Sequence, residues 1–267
     1  MTGSTADAKS LDQPGVAQPA FGMPGTPLNA WRASQALAAV PSIRLDQLIP
    51  PPARVVVVAP HPDDENLGCG GLLAGLAGRG SCIAVVAVTD GEGSHPDSSR
   101  WPERLLRSTR RQESQTAMAR LGFTDSQVEW HHLALSDGQV AAHADALQAQ
   151  LMSLLQPGDC LLTTWRGDGH CDHEATGENA ARCAAAANAR LIEVPVWAWH
   201  WASPEDPRIP WRRAFKLPLA ARQLARKAAA VDAHVSQLHP DPSTGAAPVL
   251  AEGTLARLLQ PFELVFL

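Results

Sequence analysis

Apolar runs and helical periods alternate along most of this chain. After Arg54, the run Val55-Val56-Val57-Val58-Ala59 is apolar throughout and mostly β-branched, which predicts a strand buried in a sheet. The pattern then predicts a helix over Leu67 to Gly78, a strand over Ser81 to Val88 and a long helix over Glu103 to Leu121. It continues with a strand over Val128 to Leu133, a helix over Ala141 to Leu155 and a strand over Cys160 to Thr164. A helix over Glu174 to Ala187 and a strand over Leu191 to Trp197 complete the alternation. Strands separated by helices of this length predict βαβ units. The expected fold is α/β, a Rossmann-like three-layer sandwich with a mostly parallel sheet and helices on both faces. Its crossovers are expected to be right-handed.

Upstream of this alternation, residues 1–50 read as an N-terminal extension, partly irregular. Residues 1 to about 28 are rich in Gly, Pro, Ser, Ala and Gln and are expected to be mobile or draped over the surface. A short helix is expected over Ala30 to Ala39, before Leu45-Asp46-Gln47-Leu48 and the stop at Pro50-Pro51-Pro52.

Composition narrows the class without naming a reaction. At 267 residues, 45% of them hydrophobic, the chain suits one large α/β core with extensions better than two cores. No apolar run approaches the ~18 residues of a membrane span, and the first residues lack the basic start and apolar stretch of a secretory signal. The five cysteines (Cys69, Cys82, Cys160, Cys171, Cys183) are odd in number and have no CxxC spacing, which suits reduced thiols and a cytoplasmic location. A net charge of −5 without a dominant basic stripe disfavours nucleic acid as a partner.

The chemistry gathers where strands end. Ala59-Pro60-His61-Pro62-Asp63-Asp64-Glu65 follows the first strand, Thr89-Asp90-Gly91-Glu92 the second, and Trp165 to His173 the strand at Cys160. Open α/β sheets place ligands beyond the carboxyl ends of their strands, so these three loops are expected on one rim. Carboxylates as crowded as Asp63, Asp64 and Glu65 repel one another unless a cation or proton shares the site. His61 and Asp64 are three apart at a helix entrance and can lie on one face, and His173 offers a third donor. Two imidazoles and a carboxylate suit zinc with a position left open for water, and they suit iron(II) as well. Asp63 is then placed as general base, and His170 to stabilise an oxyanion or protonate a leaving amine. The plain alternative is a hydrogen-bonded cluster capping the helix that begins near Asn66. Gly68-Cys69-Gly70-Gly71 follows a strand but lacks the GxGxxG pattern, and the carboxylates before it would repel a pyrophosphate. Those glycines are expected to let helix pack closely on strand.

With these residues in view, positions 54 to about 240 resemble the PIG-L/LmbE-like family of zinc-dependent N-deacetylases. The family's opening motif is matched by Ala59 to Glu65 running into Gly68-Cys69-Gly70-Gly71, and its HPDH-like element by His170-Cys171-Asp172-His173. The resemblance implies His61, Asp64 and His173 as zinc ligands, Asp63 as base and His170 beside the substrate carbonyl. It also implies a deacetylase domain over residues 51–267 that hydrolyses the N-acetyl or N-acyl group of a glucosamine-type sugar conjugate. Arg110, in Arg110-Arg111-Gln112-Glu113, and Asp137, in Asp137-Gly138, match elements that help hold the sugar in relatives, and stand as candidate substrate residues. Lys227 to Gln237 resembles a C-terminal helix of relatives and takes no role.

Two departures stand out. Cys171 occupies a position where proline is usual, and is expected to be a spectator. The chain has no tyrosine, whereas some relatives use one to polarise the carbonyl, so His170 would serve alone or with a backbone donor. Trp197, Trp199 and Trp201 alternate at strand spacing and are expected on one face, as core or interface or as a platform for a sugar ring. Two other functions fit the same residues: an amidase for another acylated amine or thiol-sugar conjugate, and a non-catalytic sugar-binding module. The second has little need of Asp63 beside the ligands.

Overall fold

The computed structural model describes residues 25–267; of the expected draped segment, residues 1–24 lie outside them. In chain order, α1 (Leu28–Ala33), α2 (Gln35–Ala39) and α3 (Leu45–Leu48) precede β1 (Val55–Ala59). Then come α4 (Asp64–Ala77), β2 (Ile83–Thr89), α5 (Glu103–Leu121), β3 (Val128–Leu135), α6 (Ala144–Leu154), β4 (Cys160–Thr164), α7 (Cys171–Ala187) and β5 (Arg190–Val194). The last part holds α8 (Ala198–Trp201), β6 (Ala214–Pro218), α9 (Ala221–Val231), α10 (Val235–Leu238), α11 (Glu252–Leu258) and β7 (Phe262–Phe266).

The strands form one sheet in the order β3-β2-β1-β4-β5-β7-β6. The first five in that order run parallel, and β7 is antiparallel to both β5 and β6. The side-chain alternation of β1 divides the core. Val55 and Val57 pack with Leu72 and Leu73 of α4 and Met118 of α5, whereas Val56 and Val58 pack with Leu147 of α6 and Ala180 of α7. Helices therefore cover both faces of a mostly parallel sheet, the α/β sandwich expected. β1 and β4 are neighbours although β2 and β3 intervene in sequence, so the strand order reverses between them. Ligands of open α/β sheets sit at this switch point.

Helix α4 fills the space behind it. Almost all of its residues are buried, and a Cβ at Gly68 would come within 2.6 Å of Val194 of β5, so glycine permits the close helix-on-sheet contact expected of this run. The helix breaks at Cys69 (φ −140°, ψ 22°), which frees the N–H groups beyond the kink. Those of Gly71 and Leu72 donate to the Glu263 carboxylate of β7 (2.7 and 2.8 Å), and Lys227 Nζ of α9 lies 2.8 Å from the same group.

Several expectations need correction. α4 and α7 begin at Asp64 and Cys171, three residues earlier than predicted, which places the motif carboxylates in first turns, where the helix dipole favours negative charge. The expected helix over Ala30 to Ala39 divides at Ser34, whose Oγ caps α2 by accepting from Leu37 N–H (2.9 Å). The first residues of the helix expected over Ala141 to Leu155 form a 3-10 turn over Val140–His143. β6 and β7 have no counterpart among the predicted strands.

The strand expected to reach Trp197 stops at Val194, and Ala198–Trp201 is a helical turn. Trp197, Trp199 and Trp201 therefore do not share a strand face. Trp199 packs edge-on against Trp31 with ring centroids 4.8 Å apart, and Trp197 stacks on His200 at 4.3 Å. Trp201 Nε1 donates to the backbone oxygen of Asp168 (2.7 Å). The chain curls because three successive N–H groups, of Val196, Trp197 and Ala198, turn onto the Asp168 carboxylate (2.9, 2.7 and 2.9 Å) instead of a neighbouring strand.

Candidate metal centre

The loop after β1 and the loop after β4 meet at the switch point. His61 follows β1, Asp63 stands at the N-cap position of α4 without a side-chain capping bond, and Asp64 is the first residue of that helix. On the other side His170 caps α7, its Nδ1 accepting from the N–H of Asp172 (3.2 Å), and His173 lies one turn in. The two halves converge on a single oxygen. Asp64 Oδ2 lies 3.2 Å from His61 Nδ1 and 3.3 Å from His173 Nε2. Donors about 2.0–2.1 Å from a tetrahedral centre lie roughly 3.3 Å from one another, so this spacing fits a shared divalent ion. Nitrogens of His61, His170 and His173 also lie within 4.8 Å of one another.

The outer nitrogens of the same rings meet carboxylates. His61 Nε2 is 3.1 Å from Asp137 Oδ1 and 3.4 Å from Asp172 Oδ2. His173 Nδ1 is 2.6 Å from Asp168 Oδ2. Asp172 is itself held by the N–H groups of Gly138 and Val140 (2.6 and 3.1 Å). An imidazole backed by a carboxylate is the usual setting of a metal-binding histidine, because the backing partner fixes ring plane and tautomer.

The electrostatics are those of a site that is short of positive charge. Burial opposes the charged form of His61, but hydrogen bonds to Asp137, Asp172 and Asp64 outweigh it and hold its pKa well above the ordinary histidine value. Burial likewise opposes charge on His173, and Asp64 and Asp168 raise it nonetheless to about 9. Burial would raise Asp64, yet His173 and His61 bring it well below the ordinary carboxylate range. Without a metal, protons on imidazole do the work that a cation would do. His170 is the exception: burial, then its neighbours His173 and His61, push it down to about 4.

Asp63 sits apart from the shared oxygen. Its backbone lies at φ 139°, a conformation that side-chain-bearing residues rarely adopt and that the surrounding structure must hold. Its Oδ2 accepts from Arg110 Nη2 (3.0 Å), whose guanidinium also donates to Pro62 O and Gly91 O (2.8 Å each). Burial raises Asp63 to about 7, with Arg110 pulling the other way. Arg110 is 3% exposed, so it braces the carboxylate and the two loops beneath the rim. Asp137 joins the site through His61, and its Oδ2 accepts from Gly93 N–H (2.9 Å).

The structure thus brings together His61, Asp63, Asp64, His170 and His173, with Arg110 and Asp137 in contact with two of them. Asp168 was absent from the sequence reading; its only signal was an acidic residue two positions before His170. The segment Lys227 to Gln237 also reaches the site's underside, where His234 Nε2 lies 3.1 Å from Asn66 Nδ2 and Ser236 donates twice to Glu113 (2.7 Å each). Cys171 Sγ lies 3.8 Å from Asp172 Oδ1, and Cys171 is exposed.

The chain is similar to several known proteins. Residues 56–184 match the sequence profile of the PIG-L family, described as GlcNAc-PI de-N-acetylase. Over 40 residues the chain is 55% identical to a 1D-myo-inositol 2-acetamido-2-deoxy-alpha-D-glucopyranoside deacetylase of Corynebacterium glutamicum (strain R), covering 15% of this chain and 14% of that one. Over 129 residues it is 31% identical to the uncharacterized deacetylase YaiS of Escherichia coli (strain K12), covering 45% of this chain and 62% of that one. The chain therefore spans less than two thirds of either relative's length. A deacetylase triple mutant of the teicoplanin biosynthetic pathway has the same fold, with a TM-score of 0.58 at 21% identity over 80% of this chain and 97% of that one.

Proposed function

We propose that this chain, a member of the PIG-L/LmbE-like N-deacetylases, hydrolyses the N-acetyl group of a glucosamine-type sugar conjugate with the help of a divalent metal. The observation that carries the reading is the one oxygen of Asp64 that lies 3.2 Å from His61 Nδ1 and 3.3 Å from His173 Nε2. The names of the related deacetylases supply the acyl group and the sugar.

His61, Asp64 and His173 would hold the ion, which we take to be zinc, with iron(II) compatible with the same donors. Such an ion supplies Lewis acidity to a water and to the amide carbonyl. The chain's own groups do the rest. Asp63, poised by burial at about 7, takes a proton from the attacking water and hands it to the departing amine, which also takes the acid product's proton, so water and amide become carboxylate and ammonium. Arg110 fixes that carboxylate's direction. His170 accepts the Asp172 N–H at Nδ1, so in its neutral form the ring proton is on Nε2 and can be donated to the carbonyl oxygen as charge develops there. Its low basicity keeps it in that neutral, donating form. No helix of the described residues is long and apolar enough to cross a membrane. None of the five cysteines is in a disulfide, which fits work in the cytoplasm.

The test is amine release from a panel of N-acetylglucosamine conjugates, with metal content measured alongside. Activity is expected to vanish with chelator and return with zinc. Asp63→Asn is expected to lose at least ~10²-fold in kcat while keeping its metal. Wild-type turnover in that variant would remove the base, and turnover indifferent to chelator would remove the metal.

A further inference from the structure

The side-chain carboxylate of Asp168 has four donors around it beside the site, and nothing in the proposed chemistry uses it. It lies in the loop between β4 and α7 with no exposed surface. Oδ2 faces His173 Nδ1 at 2.6 Å and also accepts Trp197 N–H, while Oδ1 accepts the N–H groups of Val196 and Ala198. Its backbone oxygen is pinned by Trp201 Nε1 (2.7 Å). Four donors on one side-chain carboxylate leave it little freedom to turn.

The consequence falls on His173. A carboxylate with three N–H groups aimed at it acts as an acceptor, so the proton on the short contact belongs to Nδ1. In the neutral ring Nε2 then presents its lone pair, and it does so towards Asp64 Oδ2, 3.3 Å away. A lone pair facing a carboxylate oxygen at that distance is repulsive unless a cation or a proton lies between them.

We propose that Asp168 is a positioning residue. It fixes the tautomer and ring plane of His173 for metal binding, and the Val196–Ala198 turn with Trp201 is the clamp that holds Asp168. The tryptophan segment thereby acts on the metal centre through one carboxylate. This rests on the reading of His173 as a metal ligand.

The experiment uses the full chain, Zn²⁺ alone and a competing chelator. Asp168→Asn keeps an oxygen for the Val196 and Ala198 N–H groups but turns an amide donor towards both His173 and the Trp197 N–H, which favours the His173 tautomer protonated at Nε2 and costs the clamp one bond. It is expected to unfold cooperatively like the wild type and to bind Zn²⁺ 10–100-fold more weakly, the usual scale for such partners. Wild-type affinity in the folded variant would overturn the assignment while leaving the metal reading intact. A wild-type chain that binds no Zn²⁺ would overturn both. Nitrogen NMR of the zinc-loaded wild type does not depend on a variant folding. It is expected to show a protected, hydrogen-bonded proton on Nδ1 of His173, and an Nδ1 without one would sink the proposal.

Discussion

Two clusters of buried charge lie along α4, one at its kink and one at its N-terminus, and they are built to opposite rules. At the kink, Lys227 and Glu263 are each 1% exposed and face one another at 2.8 Å, and the two freed N–H groups of the helix complete the carboxylate's bonding. Charge is balanced one for one inside the chain. At the helix's N-terminus, Asp63, Asp64, Asp137, Asp168 and Asp172 surround two imidazoles and one guanidinium, and both imidazoles address the same oxygen. That cluster is balanced only with protons or a cation brought from outside. A closed ion pair marks architecture, whereas an open one marks a place for a ligand.

Removing one partner from the closed cluster should have the largest effect on folding. Lys227→Met leaves Glu263 buried without its cation and is expected to cost about 3–5 kcal/mol in urea unfolding. Zn²⁺ affinity per folded molecule should hardly move. A stable Lys227→Met protein, or one with altered zinc affinity, would show that the two clusters are not separate in the way drawn here.

The open cluster should instead respond to pH when no metal is present. His173 stands at about 9 in the folded chain, against about 6.5 when unfolded. Its protonation therefore contributes stability that is complete below about 6.5 and lost as pH rises through about 9, about 3 kcal/mol in all. Asp63 and Glu65, each raised to about 7 chiefly by burial, have the same sign, losing their contribution as pH rises through 7. In chelator, stability should fall from pH 6 to pH 9.5, and added zinc should restore it at the alkaline end, where protons no longer compete. A flat profile would mean that the carboxylate excess is already compensated.

The smallest effect is expected at Cys171, which stands at the site's edge with its thiol 3.8 Å from Asp172 Oδ1. Cys171→Ser should leave both zinc affinity and turnover within about twofold, a difference under ~0.5 kcal/mol. A loss of tenfold or more would make the thiol part of the centre.

The sequence made some of this legible and hid the rest, for physical reasons. β1 and β4 could be read because strands buried on both faces have continuous apolar runs. The convergence of His61, Asp64 and His173 could be read because parallel topology puts strand ends on one rim. β6 and β7 escaped: Phe262-Glu263-Leu264-Val265-Phe266 carries a charge at its second position, and its inward partner is a lysine from another helix. The tryptophans misled because their spacing has a period of two, while the deciding force was a distant carboxylate drawing three N–H groups into a curl. Arg110 was visible as a charge but not as a brace, since its partners Pro62 O and Gly91 O are backbone atoms without a sequence signature.

The break in α4 reaches further than its own helix. Residues 56–184 carry the family likeness, but the N–H groups released at Cys69 are satisfied by Glu263, and Lys227 answers that carboxylate in turn. A fragment cut to the recognisable motifs would leave those donors stranded in an apolar interior and strip the cover from the scaffold that aims Asp64. The family likeness is legible in residues 56–184, whereas the groups that complete their bonding arrive only with α9 and β7.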